Sequence, residues 1–306
     1  MRQINSVYLR EIYQNARMKK TAVLLTVFNG CLSLFGLLAF YITFEGAQKI
    51  GSSVNYSDIL TIYGIITGAQ FLLVLFLIPG MTSGAISGER EKQTLDILLS
   101  TRMTSFQIIQ GKLLASLSLM LLLAVSSLPI IALVFAVGGI TFLQLLQFQL
   151  FLFITSIYLG SIGIFFSSLC KRTTLSTVCS YMTGIIITIG LAMLLLGGHL
   201  IESLGSMRQE IVFGIRKMDG MAEVNITIAT LLFDPIFTFF SLLKSQIGIE
   251  AGAFTDWRTN SHAANYLIDH WFTISILAQS AVSILLMVAS SWLITCLLYT
   301  SPSPRD

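Results

Sequence analysis

The chain has 306 residues, of which 55% are hydrophobic and 11% charged, with a net charge of +3. A soluble domain carries about 25% charged residues, so this composition excludes an ordinary water-soluble protein and fits a lipid bilayer. The small positive balance says only that one face is basic, and no nucleic-acid partner is expected.

Residues 1–20 come first. Ile4, Val7, Tyr8 and Ile12 fall at helical spacing among basic residues, the pattern of an amphipathic helix lying in the membrane interface; an ordinary basic anchor ahead of a first span fits equally well. Six apolar runs follow, at 21–44, 59–83, 113–137, 142–169, 176–198 and 272–295. Each is near the roughly 20 residues that cross a bilayer. Runs so continuous are helices, because barrel strands are short and alternating. The expected fold is therefore all-α: one polytopic membrane domain, 1–295, with six transmembrane helices. No Asp, Glu, Lys, Arg or His lies inside any run. That weighs against a proton relay, which needs ionisable groups in the membrane, although carbonyls alone can hold Na⁺.

The first run is too long for a signal-peptide core and is read as an uncleaved anchor. Orientation follows from Lys and Arg. Arg2, Arg10, Arg17, Lys19 and Lys20 precede the first run, Arg90, Lys92, Arg102 and Lys112 lie between the second and third, and Lys171 and Arg172 between the fourth and fifth. The short loops on the other side carry only Lys49. The positive-inside rule puts the N-terminus in the cytoplasm and the region 199–270 outside, in a multi-pass protein of the plasma membrane.

Within the spans, Gly64 and Gly68 form a GxxxG that permits close helix packing, between two copies or inside one. Pro79 and Pro129 are expected to kink or end helical turns. Asn29, Gln70 and Gln279 are polar span residues, which more often bond a neighbouring helix than line a pathway. Trp271 and Trp292 bracket the sixth run about 31 Å apart at helical rise, as two interface belts would. In the outer region, 224–243 is apolar but carries Asp234-Pro235 at its middle. Proline removes a donor and restrains the residue before it, so two short re-entrant helices are expected rather than a seventh span. His199, His262 and His270 lack metal-ligand spacing, and no metal or cofactor site is expected. The last eleven residues, 296–306, resemble a translated transposon-type sequencing adapter and are set aside as a scar.

The charged stretch 84–112 is the cytoplasmic feature with most information. It contains "ISGEREKQTLDILLSTRMTSFQIIQGK" between two apolar runs. Residues 88–99 can form a helix with Glu89, Lys92, Gln93 and Asp96 on one face and Leu95, Leu98 and Leu99 on the other. After "STRMTS", Thr104 and Gln107 have capping-box spacing, with Met103 and Ile108 placed as a hydrophobic staple. Such a helix suits docking into a groove of another protein, or lying on lipid headgroups. The chain has no GxxxxGK[ST] nucleotide loop, so energy for transport would have to come from a partner.

This stretch resembles the signature of ABC transporter permeases of the type-2, or export, family. The matching residues are Glu89-Arg90-Glu91, Thr94-Leu95-Asp96, Leu98-Leu99, Ile108-Ile109 and Gly111-Lys112. Gln93 departs from a common glycine, Arg102-Met103 from a frequent Pro-Leu, and Asp234-Pro235 would stand for a frequent Asn-Pro. The resemblance implies pairing with a second permease, as a homo- or heterodimer, and with a cytoplasmic ABC ATPase dimer. ATP is then bound by the partner subunits and the permease is not itself an enzyme. Glu89, Arg90, Glu91, Thr94, Leu95, Asp96, Leu98 and Leu99 are the implied ATPase-coupling residues, with Glu89, Arg90 and Glu91 as the docking group. A non-transporting membrane component that uses the ATPase for signalling or assembly is the alternative. An intramembrane enzyme is a weaker reading, because no acid or histidine in the spans could activate a serine.

Overall fold

The computed structural model describes residues 6–50, 56–94, 103–136, 140–190, 231–247, 266 and 270–300. The described residues hold helices and no strand: α1 (Ser6–Arg17), α2 (Lys19–Ile50), α3 (Tyr56–Thr82), α4 (Ser87–Glu91), α5 (Ser105–Ala136), α6 (Phe142–Leu169), α7 (Thr173–Ile185, continued by a π turn, Ile186–Gly190), α8 (Pro235–Ile247) and α9 (Trp271–Thr300). Six stretches are long and apolar enough to cross a membrane: Lys19–Glu45, Asp58–Glu91, Ser105–Phe135, Phe142–Leu169, Thr173–Gly190 and Trp271–Thr295. They correspond one for one to the six apolar runs. The chain forms two compact units, 1–181 with 280–306, and 182–279.

In the first unit α3 packs against α2, α5 and α6. Phe71 and Phe151 stack with centroids 5.7 Å apart, among the fully buried Tyr63, Phe148 and Tyr158. In lipid, apolar burial gives little drive for helices to associate, so close packing and polar contacts must supply it. The buried face of α6 is built that way, from Thr155, Ser156, Gly160, Ser161, Gly163, Ser167 and Ser168. At Gly163 a Cβ would stand 2.0 Å from Thr82 Oγ1, and at Gly160 2.9 Å from Leu113 Cδ1. The intimate approach thus lies between α6 and the end of α3. Gly64 and Gly68, singled out by their spacing, are only half-buried on α3.

The polar span residues bond neighbouring helices as expected. Asn29 Nδ2 donates to Ser126 Oγ at 3.0 Å, joining α2 to α5, and Gln70 Nε2 donates to Ser127 Oγ at 2.9 Å, joining α3 to α5. The prolines do not end their helices: Pro79 lies inside α3 and Pro129 inside α5. Helix starts obey local chemistry. Thr104 N donates to Gln107 Oε1 at 3.1 Å and Gln107 N to Thr104 Oγ1 at 3.3 Å, the capping box read from the sequence. Thr141 and Gln144 form a second such box at the start of α6.

In the second unit the expected break at Asp234-Pro235 is present: a 3₁₀ turn, Leu231–Phe233, ends there and α8 begins at Pro235. Asp234 is the N-terminal cap, its Oδ1 accepting from Ile236 N at 2.8 Å. Thr238 Oγ1 donates to Ser275 Oγ at 3.0 Å and accepts from Gln279 Nε2 at 3.0 Å, so a buried polar seam ties α8 to α9. Trp271 corrects an expectation. It is 2% exposed, packed with Leu231 and Leu232 and edge-on to Phe237 at 5.1 Å. It is a core residue of this unit rather than a belt residue, whereas Trp292 is 79% exposed, as an interface anchor would be. Residues 191–230, which include His199 and the first half of the 224–243 stretch, lie outside the described residues, as does His262.

Asp234 gives a pH prediction. Burial pushes its carboxyl from the ordinary 3.8 up to about 7, against the N–H groups of Ile236 and Phe237, which pull it down. The folded state therefore holds a proton that the unfolded state releases, and stability falls as pH rises from about 4 towards 7. Asp234→Asn keeps the cap without the ionisation. Its melting temperature in lipid nanodiscs is expected to exceed wild type at pH 8, with the margin closing by about pH 4. Parallel curves across that range would contradict this.

Candidate coupling site

The acidic-basic-acidic cluster sits on α4, a helix of five residues. The expected helix over 88–99 does not form as one piece, because α4 stops at Glu91. Gln93 N donates to Arg90 O at 3.1 Å and Thr94 N to Glu89 O at 2.9 Å. These are the two bonds of a Schellman stop. Such a stop puts its C′ residue in the left-handed region, and Gln93 has φ 56°. The departure from glycine noted in the sequence thus falls at the one described non-glycine residue with positive φ. Gln93→Gly is expected to stabilise the protein by about 1 kcal/mol, read as a higher melting midpoint. Leu95, Asp96, Leu98 and Leu99 lie outside the described residues.

Each charged side chain of α4 reaches a different helix. Glu89 Oε1 receives Lys112 Nζ at 3.2 Å, and the same ammonium meets Glu11 Oε1 at 3.2 Å. Lys112 is 5% exposed and belongs to the second turn of α5; Glu11 belongs to α1. Thr94 Oγ1 also donates to Glu89 Oε2. Arg90 turns the other way, donating to Ser168 O at 3.1 Å and Cys170 O at 3.2 Å. A cation there satisfies the orphan carbonyls at the C-terminus of α6 and complements its dipole. Glu91 accepts from Thr173 N at 2.9 Å and Thr173 Oγ1 at 2.8 Å, an anion at the N-terminus of α7.

The backbone of α4 is held as well. Ser167 Oγ on α6 accepts from Ile86 N at 2.8 Å and Ser87 N at 2.9 Å, two donors that a helix start leaves unpaired. Ser176 Oγ on α7 donates to Ser83 O at 2.7 Å, just ahead of α4. Beneath, Ile86, Ile109, Leu113, Leu117, Ile164 and Ile294 form a buried apolar floor. Five residues thus contact α1, α5, α6 and α7 through ion pairs and helix-end bonds. A displacement of α4 must pull on all four.

The helical face proposed from sequence, with Glu89 and Lys92 together, is not what these residues make. The charges radiate inward to helix ends, and only Glu91 of the three is exposed. Sequence reasoning did not find Glu11, Ser167, Lys112 as an ion-pair centre, or Thr173. Nothing local marks Glu11 or Ser167, because their partners are more than seventy residues away.

The family model described as ABC-2 family transporter protein matches residues 8–289. The chain belongs to the ABC-2 transporter family. No curated protein matches it. As an ABC-2 membrane protein it is a permease component of an ABC transporter, a transport component rather than a catalyst. Members of this family normally work with an ATP-binding partner. The α4 cluster and the six apolar helices are therefore parts of an ABC-2 permease.

Proposed function

We propose that this ABC-2 permease is the membrane half of an exporter and that α4 is where a cytoplasmic ABC ATPase dimer acts on it. Two permeases, identical or not, would line the path. The observation that carries this is the convergence on α4 of Glu89 with Lys112 and Glu11, Arg90 with the end of α6, and Glu91 with the start of α7. The permease carries no charge in its apolar runs and no nucleotide loop, which supports an external motor. The Lys and Arg distribution supports a cytoplasmic N-terminus in the plasma membrane. On this reading Glu89, Arg90 and Glu91 pass force from the ATPase contact to the spans, and Thr94-Leu95-Asp96 with Leu98-Leu99 supply the contact itself.

The test is reconstitution with the ATPase subunits in vesicles. Reversing both Glu89 and Glu91 to Lys is expected to lower transport-coupled ATP hydrolysis about tenfold, the scale of a coupling free energy of 1–3 kcal/mol. Glu91→Lys alone, at an exposed position, separates coupling from folding. A double variant that co-purifies with the ATPase and transports normally would refute the coupling role.

A further inference from the structure

A groove of about 230 Å³ runs between α5 and α6, lined by apolar side chains and by a single polar one, Gln149. Both amide atoms of Gln149 are buried, and neither has a hydrogen-bond partner among the described residues. An unpaired amide has no water to turn to within a bilayer, and leaving it so is costly. The other polar side chains named above in the spans find partners on adjacent helices: Asn29, Gln70 and Gln279 all donate. Gln149 is set apart because its neighbours across the groove, Met120, Ala124 and Leu128 among them, offer nothing polar.

The groove has the depth of one leaflet. Along α6 its lining runs from Phe142 to Phe153, about 16 Å at 1.5 Å per residue, half of the roughly 30 Å hydrocarbon core. Along α5 it runs from Leu128 back to Met120, about 12 Å, which is near the middle of that helix. Phe142, at the first turn of α6, is 67% exposed and marks the shallow end. Gln149 lies about 11 Å further in.

We propose that this groove binds one membrane lipid, its acyl chain along the apolar wall and a hydroxyl on its backbone paired with Gln149. The amide supplies a donor, Nε2, and an acceptor, Oε1. A hydroxyl answers both, whereas an ester carbonyl answers only the donor. The ligand class is therefore an amphiphile with a free hydroxyl next to its chain, such as a mono- or diacylglycerol. The inference needs only that α5 and α6 cross a membrane and does not depend on the coupling role of α4.

The experiment is native mass spectrometry of the full chain released from phosphatidylcholine nanodiscs loaded with monoolein or with methyl oleate, which lacks the hydroxyls. Wild type is expected to retain monoolein about tenfold better than methyl oleate, the worth of a buried hydrogen-bonding pair. Gln149→Leu, apolar and suited to a span, is expected to erase that difference. Leu128→Trp, which fills the groove and leaves the amide, is expected to displace both ligands. Equal retention of the two ligands by wild type, or unchanged monoolein preference in Gln149→Leu, overturns the proposal. So does efficient disulfide cross-linking of Gln149→Cys between two copies in native membranes, since the occupant would then be a second chain.

Discussion

Lys112→Met is expected to destabilise the permease by about 2–3 kcal/mol. The ammonium is 5% exposed and stands 3.2 Å from each of two carboxylates that are 28% and 24% exposed. Breaking a buried ion pair by removing one partner costs about 3–5 kcal/mol, because the remaining charge is stranded. Here the partial exposure of Glu11 and Glu89 reduces the penalty, and the repulsion between two stranded acids restores part of it. The loss should appear as a lower melting midpoint of the detergent-solubilised chain. A triple variant, Lys112→Met with Glu11→Leu and Glu89→Leu, should recover most of it, since no uncompensated charge is left. Wild-type stability in Lys112→Met would show that the triad contributes nothing. In vesicles with the ATPase subunits, the triple variant would also tell stability from coupling: it restores the fold yet leaves α1 and α5 without their ionic tie to α4.

Gly163→Ala should be about as damaging, by a different route. The added Cβ would meet Thr82 Oγ1 at 2.0 Å, Thr82 Cβ at 2.9 Å and the backbone nitrogen of Ser83 at 3.3 Å. Thr82 cannot step aside cheaply, because it is fully buried and its hydroxyl donates to Ile78 O at 2.9 Å. The helices α3 and α6 must separate, and overpacking of this kind costs about 1–3 kcal/mol. Separation would also strain the bonds from Ser167 to Ile86 and Ser87, one turn further along α6. Gly160→Ala is the internal control. Its Cβ meets the end of a flexible side chain, Leu113 Cδ1 at 2.9 Å, so it should cost clearly less. Thr82→Ala should recover part of the Gly163→Ala loss. Equal melting midpoints for the two glycine variants would contradict the reading.

Features set by near neighbours were legible. Six helices followed from run length, the boxes at Thr104 and Thr141 from residues three apart, and the break at Asp234-Pro235 from proline chemistry. The glycine missing at position 93 pointed to a turn, and the turn is there. Features set by distant partners were not legible. Trp271 looked like an interface anchor from its place beside an apolar run, yet Leu231, Leu232 and Phe237 enclose it. Gly64 and Gly68 had the familiar spacing, but the tight approach is made by Gly160 and Gly163 because Thr82 lies opposite them.

The sequence by itself determined the solvent of this protein, its helical class and its family, since hydropathy and a local motif need no knowledge of what packs where. The tertiary structure decided what Glu89, Arg90 and Glu91 do. A charge acquires a role from the group facing it. Those groups are Lys112 and Glu11, two carbonyls at the end of α6, and the first amide of α7, which folding alone brings to α4.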